Sequence, residues 1–562
     1  MSMAGLLNRA WMLWCAGEAR AFGRATRRVA ATQAGVLRAV LRRNQDTEFG
    51  RAHGFRDLHA SRAYQERVPL SRYEDYAGAI GRVAAGQRGV LTTEPVELLE
   101  PTSGTTGGEK LVPYTAGLRR QFQRAVAAWV ADLYRQRPAV RQGRAYWSLS
   151  PALGPPRQTA GGIPIGFEDD AAYLGTLERL VVRRLLVGPP ALARLGDMEV
   201  FRYATLLWLL RAGDLALISV WNPTFLTALL APLEEWQDRL CFDLGHGSLR
   251  GPVPGVLAPH LTPGPAARRA AVLHSIFRSR LSLPEKLRRI WPRLALISCW
   301  ADAAAARCLH ELRELFPEVE VQPKGLLATE GCVSFPRVGC IAPVLAVRSH
   351  FFEFQEINES GERAACRLAH ELEAGGRYRV VLTTGGGLYR YQLGDEVAVA
   401  GFESECPLLR FLGKSDRVSD LVGEKLAEPH VRGVLDRLFA AHGLAPRFAL
   451  LVPVAGRPAR YRLYLQTAGL GRGDLRHLRP GLEAGLQENP YYRHALGLGQ
   501  LGPVEIELLD PEGEPAWRVY ERHCLMRGQK AGNIKPASVD SWTGWPEAFG
   551  PLRQARPLVR RQ

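Results

Sequence analysis

A loop rich in glycine and hydroxyl side chains occupies residues 101–110. It reads Pro-Thr-Ser-Gly-Thr-Thr-Gly-Gly-Glu-Lys and places three glycines and four hydroxyl side chains ahead of a single lysine, Lys110. Residues 88–100, just before it, predict strand, turn and strand. Such a loop exposes backbone N–H groups and hydroxyls to phosphate oxygens, and the lysine adds a positive charge. The pattern predicts a phosphate-binding loop, and the alternative is a flexible polar turn.

Other catalytic templates do not match. A Walker loop needs Gly-Lys-Ser/Thr, but Glu109 precedes and Leu111 follows Lys110. Residues 497–502 read Gly-x-Gly-x-x-Gly, yet they follow a predicted helix and precede a predicted strand. A dinucleotide site requires the reverse order, so we interpret this segment as a turn. The histidines are scattered, and the sequence contains neither a zinc spacing nor a nucleophile elbow.

Further chemistry-bearing segments follow in order along the chain. Residues 328–331 read Ala-Thr-Glu-Gly, and residues 388–395 read Leu-Tyr-Arg-Tyr-Gln-Leu-Gly-Asp. A polar stretch at 411–428 separates two regions that are predicted to be folded. Residues 528–536 hold two of the seven lysines of the chain, Lys530 and Lys535.

These motifs together resemble a known family. Residues 102–110 closely resemble the phosphate loop of the adenylate-forming superfamily, and the continuation through Pro113 and Thr115 resembles the Gretchen Hagen family of acyl-acid amido synthetases. Residues 328–331 are similar to that family's Ser/Thr-Glu-Gly motif, and residues 388–395 to its Tyr-Arg-Tyr-Arg-Leu-Gly-Asp motif. With flanking segments, the resemblance covers nearly the whole chain.

The resemblance implies ATP and Mg²⁺ as cofactors. Glu330 would bind Mg²⁺, which takes phosphate oxygens plus one or two carboxylates; a solvated surface acid is the alternative. Thr329 would donate to the α-phosphate or to the substrate carboxylate. The phosphate contacts would come from the loop residues Thr102, Ser103, Gly104, Thr105, Thr106, Gly107 and Lys110.

The resemblance also implies a ribose contact and a hinge. Asp395 would accept hydrogen bonds from the ribose hydroxyls, although Gly-Asp is also ordinary turn chemistry. Lys414 stands where many adenylate-forming enzymes have arginine, and it keeps the charge without the planar fork. The resemblance implies that the pivot of this hinge is Asp416 or Arg417.

The roles of two residues in the 388–395 motif stay open. Arg390 could be a ligand or an ion-pair partner within a sheet. Gln392 stands where the plant enzymes usually carry arginine, which leaves any contact carried over to this position in doubt.

A lysine near the C-terminus completes the implied site. The family has a mobile-loop lysine that contacts the α-phosphate and the substrate carboxylate only during adenylation. Lys535, before Pro536, matches it best, and Lys530 is the rival; an ordinary exposed loop is the alternative. The implied catalytic residues are therefore Lys535, Thr329 and Glu330.

Helices mixed with apolar strands predict an α/β fold. Helices are expected over 116–136 and 303–315, and buried strands over 215–221 and 294–300. Near the C-terminus we expect helices at 428–441 and 473–485, with strands between and after them, and then a tail beyond residue 510. By resemblance, residues 1–412 form an N-terminal ATP- and acyl-binding domain with β-sheets flanked by helices, 413–427 a hinge, and 428–562 a mobile α+β domain.

The composition indicates which binding partners and which cellular compartment to expect. The 562 residues carry a formal net charge of +17, but the arginines are scattered, so we expect no nucleic-acid partner. There is no apolar run of about 18 residues, so we expect no membrane span. Nine widely spaced cysteines without a Cys-x-x-Cys pair predict a cytoplasmic location. The oligomeric state is open, with a monomer favoured.

The resemblance implies a two-step ligase. ATP and a carboxylic acid would give an acyl-adenylate and pyrophosphate, and an amine, such as an amino acid, would then displace AMP and form an amide. The alternatives are an acyl-CoA ligase with the same first step and a non-catalytic binding protein of this fold. Selectivity for the acid is expected within 116–240 and 300–330, where Tyr146, Trp147 and Trp300 could line the pocket or pack in the core.

Overall fold

The structure is a computed structural model that describes residues 2–102, 110–148, 157–166, 184–249, 261–357, 363–414, 417–471, 473–527, 529 and 534–552. The chain divides into two compact units. The first contains Met1–Ala301, Leu312–Leu393 and Val397–Phe411. The second contains Asp302–Glu311, Gly394–Glu396 and Leu412–Gln562.

Helices account for much of the region up to residue 315, and their ends follow local capping chemistry. Thr115 begins the helix at 116–136 because its hydroxyl accepts from the Leu118 N–H, and Asn222 caps the helix at Pro223 in the same way. The predicted helix over 116–136 is confirmed. The helices are α1 (Met3–Ala25), α2 (Val29–Asn44), α3 (Glu48–Ala52), α4 (Ser61–Arg67), α5 (Tyr73–Ala84), α6 (Ala116–Gln136), α7 (Met198–Arg211), α8 (Pro223–Leu230), α9 (Leu233–His246), α10 (Ala267–Phe277), α11 (Leu283–Ile290) and α12 (Leu309–Leu315).

The described strands up to residue 414 form three sheets. Their orders are β2-β1-β5-β4, β3-β6-β7-β8 and β12-β11-β13-β14-β15-β10-β9. The strands are β1 (Val96–Thr102), β2 (Lys110–Thr115), β3 (Arg144–Trp147), β4 (Arg157–Gln158), β5 (Pro164–Ile165), β6 (Leu215–Ser219), β7 (Leu296–Cys299), β8 (Glu320–Pro323), β9 (Ser334–Phe335), β10 (Val344–Leu345), β11 (Phe351–Ile357), β12 (Arg363–Leu368), β13 (Arg377–Thr383), β14 (Tyr391–Glu403) and β15 (Cys406–Lys414).

The sheet β3-β6-β7-β8 is parallel throughout. Every residue of β6 and β7 is buried, as expected for a parallel sheet covered on both faces. The strands predicted over 215–221 and 294–300 are thus confirmed with shorter bounds. Because all four strands point the same way, their carboxyl ends lie along one edge, which is where open α/β sheets bind ligands.

The second unit has a sheet with helices on both faces. The strands β18 and β19 are antiparallel, whereas β19 and β20 are parallel. Side chains alternate: Leu451 and Leu463 pack against one set of helices, Leu450 and Tyr464 against the other. The elements are α13 (Glu428–Ala441), α14 (Leu475–Leu486), α15 (Pro490–Gly497), α16 (Ala516–Met526) and α17 (Trp545–Ala548), with β16 (Val418–Ser419), β17 (Leu426–Ala427), β18 (Phe448–Val454), β19 (Ala459–Gln466) and β20 (Leu501–Leu508).

Three expectations for the C-terminal region can be compared with the structure. The helix predicted over 428–441 is confirmed with the same bounds. Residues 498–500 lie between α15 and β20, so the Gly-x-Gly-x-x-Gly segment is a turn. The expected tail beyond residue 510 is wrong, because α16 and α17 pack Trp517, Tyr520 and Trp545 onto one face of the β18–β20 sheet. The second unit is therefore an α+β layer structure, as expected.

All nine cysteines are free thiols. None of the helices in the described part of the chain combines the length and the apolar character that a membrane crossing requires. The mixed helices and sheets confirm the α/β fold class.

Candidate active site

The Thr329-Glu330 pair occupies the tip of a tight hairpin. Ala328 and Gly331 exchange both backbone hydrogen bonds, at 3.0 and 3.2 Å, and Leu327 pairs antiparallel with Cys332. A two-residue loop of this kind fixes both central side chains relative to the flanking backbone. Both are half-buried, so the hairpin presents a hydroxyl and a carboxylate side by side.

Two tyrosines from distant segments contact this turn. The Tyr114 hydroxyl, on β2, donates to the Thr329 carbonyl oxygen at 2.5 Å. The Tyr391 hydroxyl, at the start of β14, donates to Glu330 Oε1 at 3.4 Å. The phosphate-loop hairpin, the Thr-Glu turn and the 388–395 motif therefore meet at one turn, although they are far apart in sequence.

His350 holds the base of the same turn. Its Nε2 accepts from the Cys332 N–H at 3.0 Å, and its Nδ1 lies 3.1 Å from Gln121 Oε1. Because Nε2 is an acceptor, the hydrogen-bond network assigns the proton to Nδ1, which donates to Gln121. Gln121 Oε1 also accepts from the Gly385 N–H at 2.8 Å. The network joins the turn, α6 and the loop before β14.

The imidazole of His350 is neutral in this setting. The ring is fully buried, and burial, with a smaller contribution from Arg124, lowers its pKa to about 3. A Cβ on Gly331 would lie 2.9 Å from His350 Nε2, so the turn accommodates the ring only because residue 331 is glycine. No local sequence pattern indicates a role for His350, because its contacts come from residues that are far away in the chain.

Thr102 and Lys110 lie opposite each other at the end of the β1–β2 hairpin where the chain connects the two strands. The Lys110 ammonium is 3.4 Å from Glu74 and 5.4 Å from the centre of the Tyr73 ring. The connecting residues Ser103, Gly104, Thr105, Thr106 and Gly107 lie outside the described residues. The hairpin thus places both ends of the predicted phosphate loop together.

Arg390 is an ion-pair partner within the first unit. Its Nη2 lies 2.9 Å from Glu353 on β11, and its Nη1 donates to the carbonyl oxygens of Gln65 and Val68 at 2.5 and 2.7 Å. Both side chains are buried, and the Glu353 carboxylate outweighs burial and raises the pKa of the guanidinium. Of the two roles that the sequence left open for Arg390, a ligand or an ion-pair partner, the structure shows the ion pair.

Asp395 and Lys414 form a pair in the second unit. Asp395 is 1% exposed, and its Oδ1 lies 3.4 Å from Lys414 Nζ. Within the described part of the chain this oxygen accepts no hydrogen bond. The Lys414 ammonium offsets part of the cost of burying this oxygen, and a hydroxyl-bearing ligand would supply the missing hydrogen bond. The geometry fits the ribose contact that the resemblance implies.

Lys535 lies in a segment that is anchored on both sides. The Tyr520 hydroxyl donates to its carbonyl oxygen at 3.4 Å, and Ile534 is buried in the core beneath α16. Further along, the Ser538 N–H donates to Glu428, whose carboxylate is 3.6 Å from Arg417. That carboxylate raises the pKa of Arg417. Lys530 and Asp416 lie outside the described residues.

The structure distributes the predicted residues between the units. Thr102, Lys110, Thr329 and Glu330 belong to the first unit, and Asp395, Lys414 and Lys535 to the second. The predicted residues therefore form two groups, one built on hairpins and the other on β14, β15 and the segment before α17.

Comparisons with known proteins agree with this fold. The model of the GH3 family N-terminal domain matches residues 18–321, and that of the GH3 family central domain matches residues 343–414. The first match covers more than half of the chain. The chain therefore belongs to the GH3 family.

Named relatives are plant proteins. The probable indole-3-acetic acid-amido synthetase GH3.12 of Oryza sativa subsp. japonica is 24% identical and covers 92% of each chain. The indole-3-acetic acid-amido synthetase GH3.8 of Oryza sativa subsp. indica is 26% identical over 86% of this chain and 84% of its own. The solved AtGH3.15 acyl acid amido synthetase, in complex with 2,4-DB, superposes with a TM-score of 0.81 at 20% identity, over 98% of each chain.

Proposed function

We propose that this protein is an ATP-dependent ligase that adenylates a carboxylic acid and transfers the acyl group to an amine. The product would be an amide, with AMP and pyrophosphate released, and the amine would be an amino acid or a related compound. Family membership supports this proposal. The two rice relatives support it too, because both are named as amido synthetases and the matches extend over most of their length.

One observation carries the proposal at the level of the site. Tyr114 and Tyr391 bring the phosphate-loop hairpin and the 388–395 motif onto the Thr329-Glu330 turn. A phosphate-binding loop, a hydroxyl donor and a carboxylate in one place are the groups that a nucleotide with its bound cation needs. A binding protein without catalysis would not need to retain Lys535 in addition.

In the first step, a carboxylate oxygen of the acid attacks the α-phosphorus of ATP, and the bond to pyrophosphate breaks. Negative charge builds up on the phosphate oxygens. Lys110 and the 102–107 loop would hold the phosphates, Thr329 would donate to the α-phosphate or the acid, and Lys535 would stabilise the developing charge. The proposed contribution of these residues is electrostatic and positional.

Glu330 is the proposed magnesium ligand. A single carboxylate with waters and phosphate oxygens is a usual set for Mg²⁺, and the half-buried Glu330 side chain fits it. When bound, the ion would neutralise phosphate charge. Tyr391 would orient the carboxylate through the hydrogen bond to Oε1.

Asp395 and Lys414 are the proposed ribose-side residues. The unsatisfied Asp395 Oδ1 supports a role as acceptor for the ribose hydroxyls. Lys414, whose ammonium lies 3.4 Å from this oxygen, would hold the carboxylate in place. We also propose that residues 413–427 form a hinge between an N-terminal domain (1–412) and a mobile C-terminal domain (428–562).

In the second step, the amine nitrogen attacks the acyl carbon, AMP leaves, and the nitrogen loses a proton. The adenylate is a good leaving group, so this step mostly needs positioning. We propose a monomeric enzyme of the cytoplasm, and the free thiols support a reducing compartment.

The decisive experiment is carboxylate-dependent ATP–pyrophosphate exchange by the purified protein with Mg²⁺ across a broad acid panel. Products formed with mixed amino acids, and separately with coenzyme A, are then identified by mass spectrometry. Amides support the proposal, and a CoA thioester would reassign the acceptor. Absence of exchange with every acid would sink the adenylation step.

Two lysine variants test the adenylation lysine. We expect Lys535→Ala to lower exchange by about 100-fold or more while the protein stays folded, because a charge-stabilising donor is lost. Lys530→Ala is the matched control and should retain exchange. The reverse result would move the role to Lys530, and normal exchange in both variants would remove the lysine from the mechanism.

A further inference from the structure

A group of hydrogen-bond donors lies at the carboxyl edge of the parallel sheet β3-β6-β7-β8, outside the motifs of the candidate active site. Trp147 on β3 is in register with Ser219 on β6, and Ser219 with Ser298 on β7. Register neighbours in a parallel sheet point to the same face. We call Trp147, Ser219, Ser298 and Lys324, which follows β8, the donor cluster.

Lys324 reaches back across the sheet to join this row. Its Nζ donates to the Ser219 hydroxyl and lies 4.9 Å from the centre of the Trp221 ring. Trp221 in turn lies 5.7 Å from Trp300, ring centre to ring centre. The face of the Trp221 ring attracts the ammonium electrostatically. A cation is thereby held beside two half-buried indoles.

Two members of the donor cluster are unsatisfied. Ser298 is fully buried, and its hydroxyl has no hydrogen-bond partner within the described part of the chain. The same holds for the Trp147 indole Nε1, whose N–H can only donate. Buried polar groups are normally paired, so these two atoms point to a bound group that accepts hydrogen bonds.

The chemistry of the donor cluster selects the kind of group. It offers an ammonium, an indole N–H and serine hydroxyls, and the lone pair of Ser219 that faces Lys324 is already used. Such a set matches an acceptor, and best an anion. Lys324 precedes Thr329 by five positions, so their Cα atoms are at most about 18 Å apart. A ligand of moderate size spans that distance.

We propose that the donor cluster binds a second acceptor group, a carboxylate or a similar anion, at the end of the acid substrate away from its reacting carboxyl. This inference rests on the proposed function and names the substrate class. The acid has a flat apolar body, which Trp221 and Trp300 contact, and an anionic group at each end. Trp147 and Trp300 could line the pocket or pack in the core. The Trp147 ring packs on Trp11, with 6.2 Å between ring centres, and this proposal gives its N–H and the Trp300 ring a place in the pocket.

The test compares two acids that differ only at the distal end. They are 3-phenylpropanoate and 3-(4-carboxyphenyl)propanoate, each assayed by ATP–pyrophosphate exchange. We expect the wild-type protein to prefer the diacid in kcat/KM. Lys324→Met should reduce kcat/KM for the diacid by about 10- to 100-fold, the range for a charge-assisted hydrogen bond, and leave the monoacid nearly unchanged.

Two further variants keep the test independent of folding defects. Trp147→Phe removes the indole N–H but keeps an aromatic ring, and Ser298→Ala removes only the hydroxyl, so both should reduce the same preference in part. Lys286→Met is the control, because it removes a lysine whose ion pair with Glu234 lies on other helices.

The outcomes separate this inference from the proposed function. Exchange with neither acid, nor with any of the broad panel, sinks the function itself. Exchange without a diacid preference, or an equal loss for both acids in Lys324→Met, overturns the donor cluster as a distal-anion site. If the variants are less stable than the wild-type protein but keep its preference for the diacid, the donor cluster is a packing feature. That result also overturns the proposal.

Discussion

At the scale of single residues, Arg390 shows how a motif side chain can serve the site without touching a ligand. Its φ of 46° lies in the left-handed region, which costs a non-glycine residue about 1–3 kcal/mol. Glu353 and two carbonyl oxygens hold the guanidinium in return. The residue fixes the chain one position before Tyr391, which contacts Glu330. Its contribution to the site is therefore positional.

Removing Arg390 should destabilise the protein strongly. Arg390→Met leaves the buried Glu353 carboxylate without its cationic partner, with the Gln65 amide still donating to Oε1 at 2.8 Å, and we expect a loss of about 3–5 kcal/mol in the free energy of unfolding. The double variant Arg390→Met/Glu353→Gln should recover part of it. Urea unfolding in a double-mutant cycle measures the coupling.

An exposed ion pair provides the control for this cycle. Arg278 lies 3.4 Å from Asp238, and both side chains are two-thirds exposed. Arg278→Met should change stability by less than about 1 kcal/mol. A similar loss in both variants would show that burial of the Arg390 pair is not what matters.

His350 gives a pH dependence with a defined sign. Its pKa is lowered to about 3 in the fold and is about 6.5 in the unfolded chain. The unfolded state thus binds the proton first as pH falls. The stability that the neutral ring contributes is present above pH 6.5 and is lost towards pH 3, by at most about 1.4 kcal/mol per pH unit.

The measurement is urea unfolding at pH 7 and pH 5. His350→Gln cannot titrate but can still accept from the Cys332 N–H, so its stability should fall less between these pH values than that of the wild type. His59→Gln, at an exposed position, should keep the wild-type difference. An unchanged difference in His350→Gln would show that the ring is protonated in the fold or does not control the slope.

At the scale of elements, the sequence predicted local structure well where the signal was local. Helix α13 has the predicted bounds, and Pro429 at its first turn is a standard start signal. Helix α16 was missed, although Ala516, Tyr520 and Cys524 recur at helical spacing. Its stability comes from tertiary packing on the β18–β20 sheet, which a local pattern does not reveal.

The candidate site could be predicted only in part for the same reason. The identity of Thr329 and Glu330 came from a motif, and the structure places them on a hairpin tip. The partners that hold this tip, Tyr114, Tyr391 and His350, are 18 to 215 residues away from their contacts. Nothing in a local pattern indicates such pairs.

The Thr-Glu hairpin depends on Gly331. Its φ is not in the left-handed region, so the requirement is for space and not for backbone freedom. Gly331→Ala places a Cβ 2.9 Å from the buried His350 ring. We expect a loss of about 1–3 kcal/mol from overpacking and reduced ATP–pyrophosphate exchange, because the turn must shift.

A second glycine serves as the control for this element. Gly35, inside α2, has no atom within 4 Å of a built Cβ, and Gly35→Ala should be neutral or slightly stabilising. Thermal unfolding and exchange are measured for both variants. If Gly331→Ala kept wild-type stability and exchange, close packing of His350 on the turn would not be needed.

At the scale of the whole molecule, the proposed chemistry is divided between the two units. The first carries Thr329 and Glu330, and the second carries Asp395, Lys414 and Lys535. The net charge of +17 is diffuse, whereas several of the few lysines fall in proposed ligand sites: Lys110, Lys324, Lys414 and Lys535. The positive charge that indicates function is therefore found at these few lysines and not in the net charge of the chain.

This division allows the two steps of the reaction to be separated. Lys535 is proposed to act only while the α-phosphate reacts, and the second step needs the amine to be positioned at the acyl carbon. An enzyme supplied with preformed acyl-adenylate bypasses the first step. Lys535→Ala should then form amide at a rate within a few-fold of wild type, although its ATP-driven reaction is reduced by about 100-fold or more.

The assay follows amide formation by mass spectrometry from the synthetic adenylate of whichever acid supports exchange, with the amine in excess. Thr329→Ala is the comparison variant, since a donor close to the reacting carboxyl should affect both routes. If Lys535→Ala were equally slow from ATP and from the adenylate, the lysine would serve both steps. Its segment, anchored by Tyr520 and Ser538, would then have to remain at the site throughout the cycle.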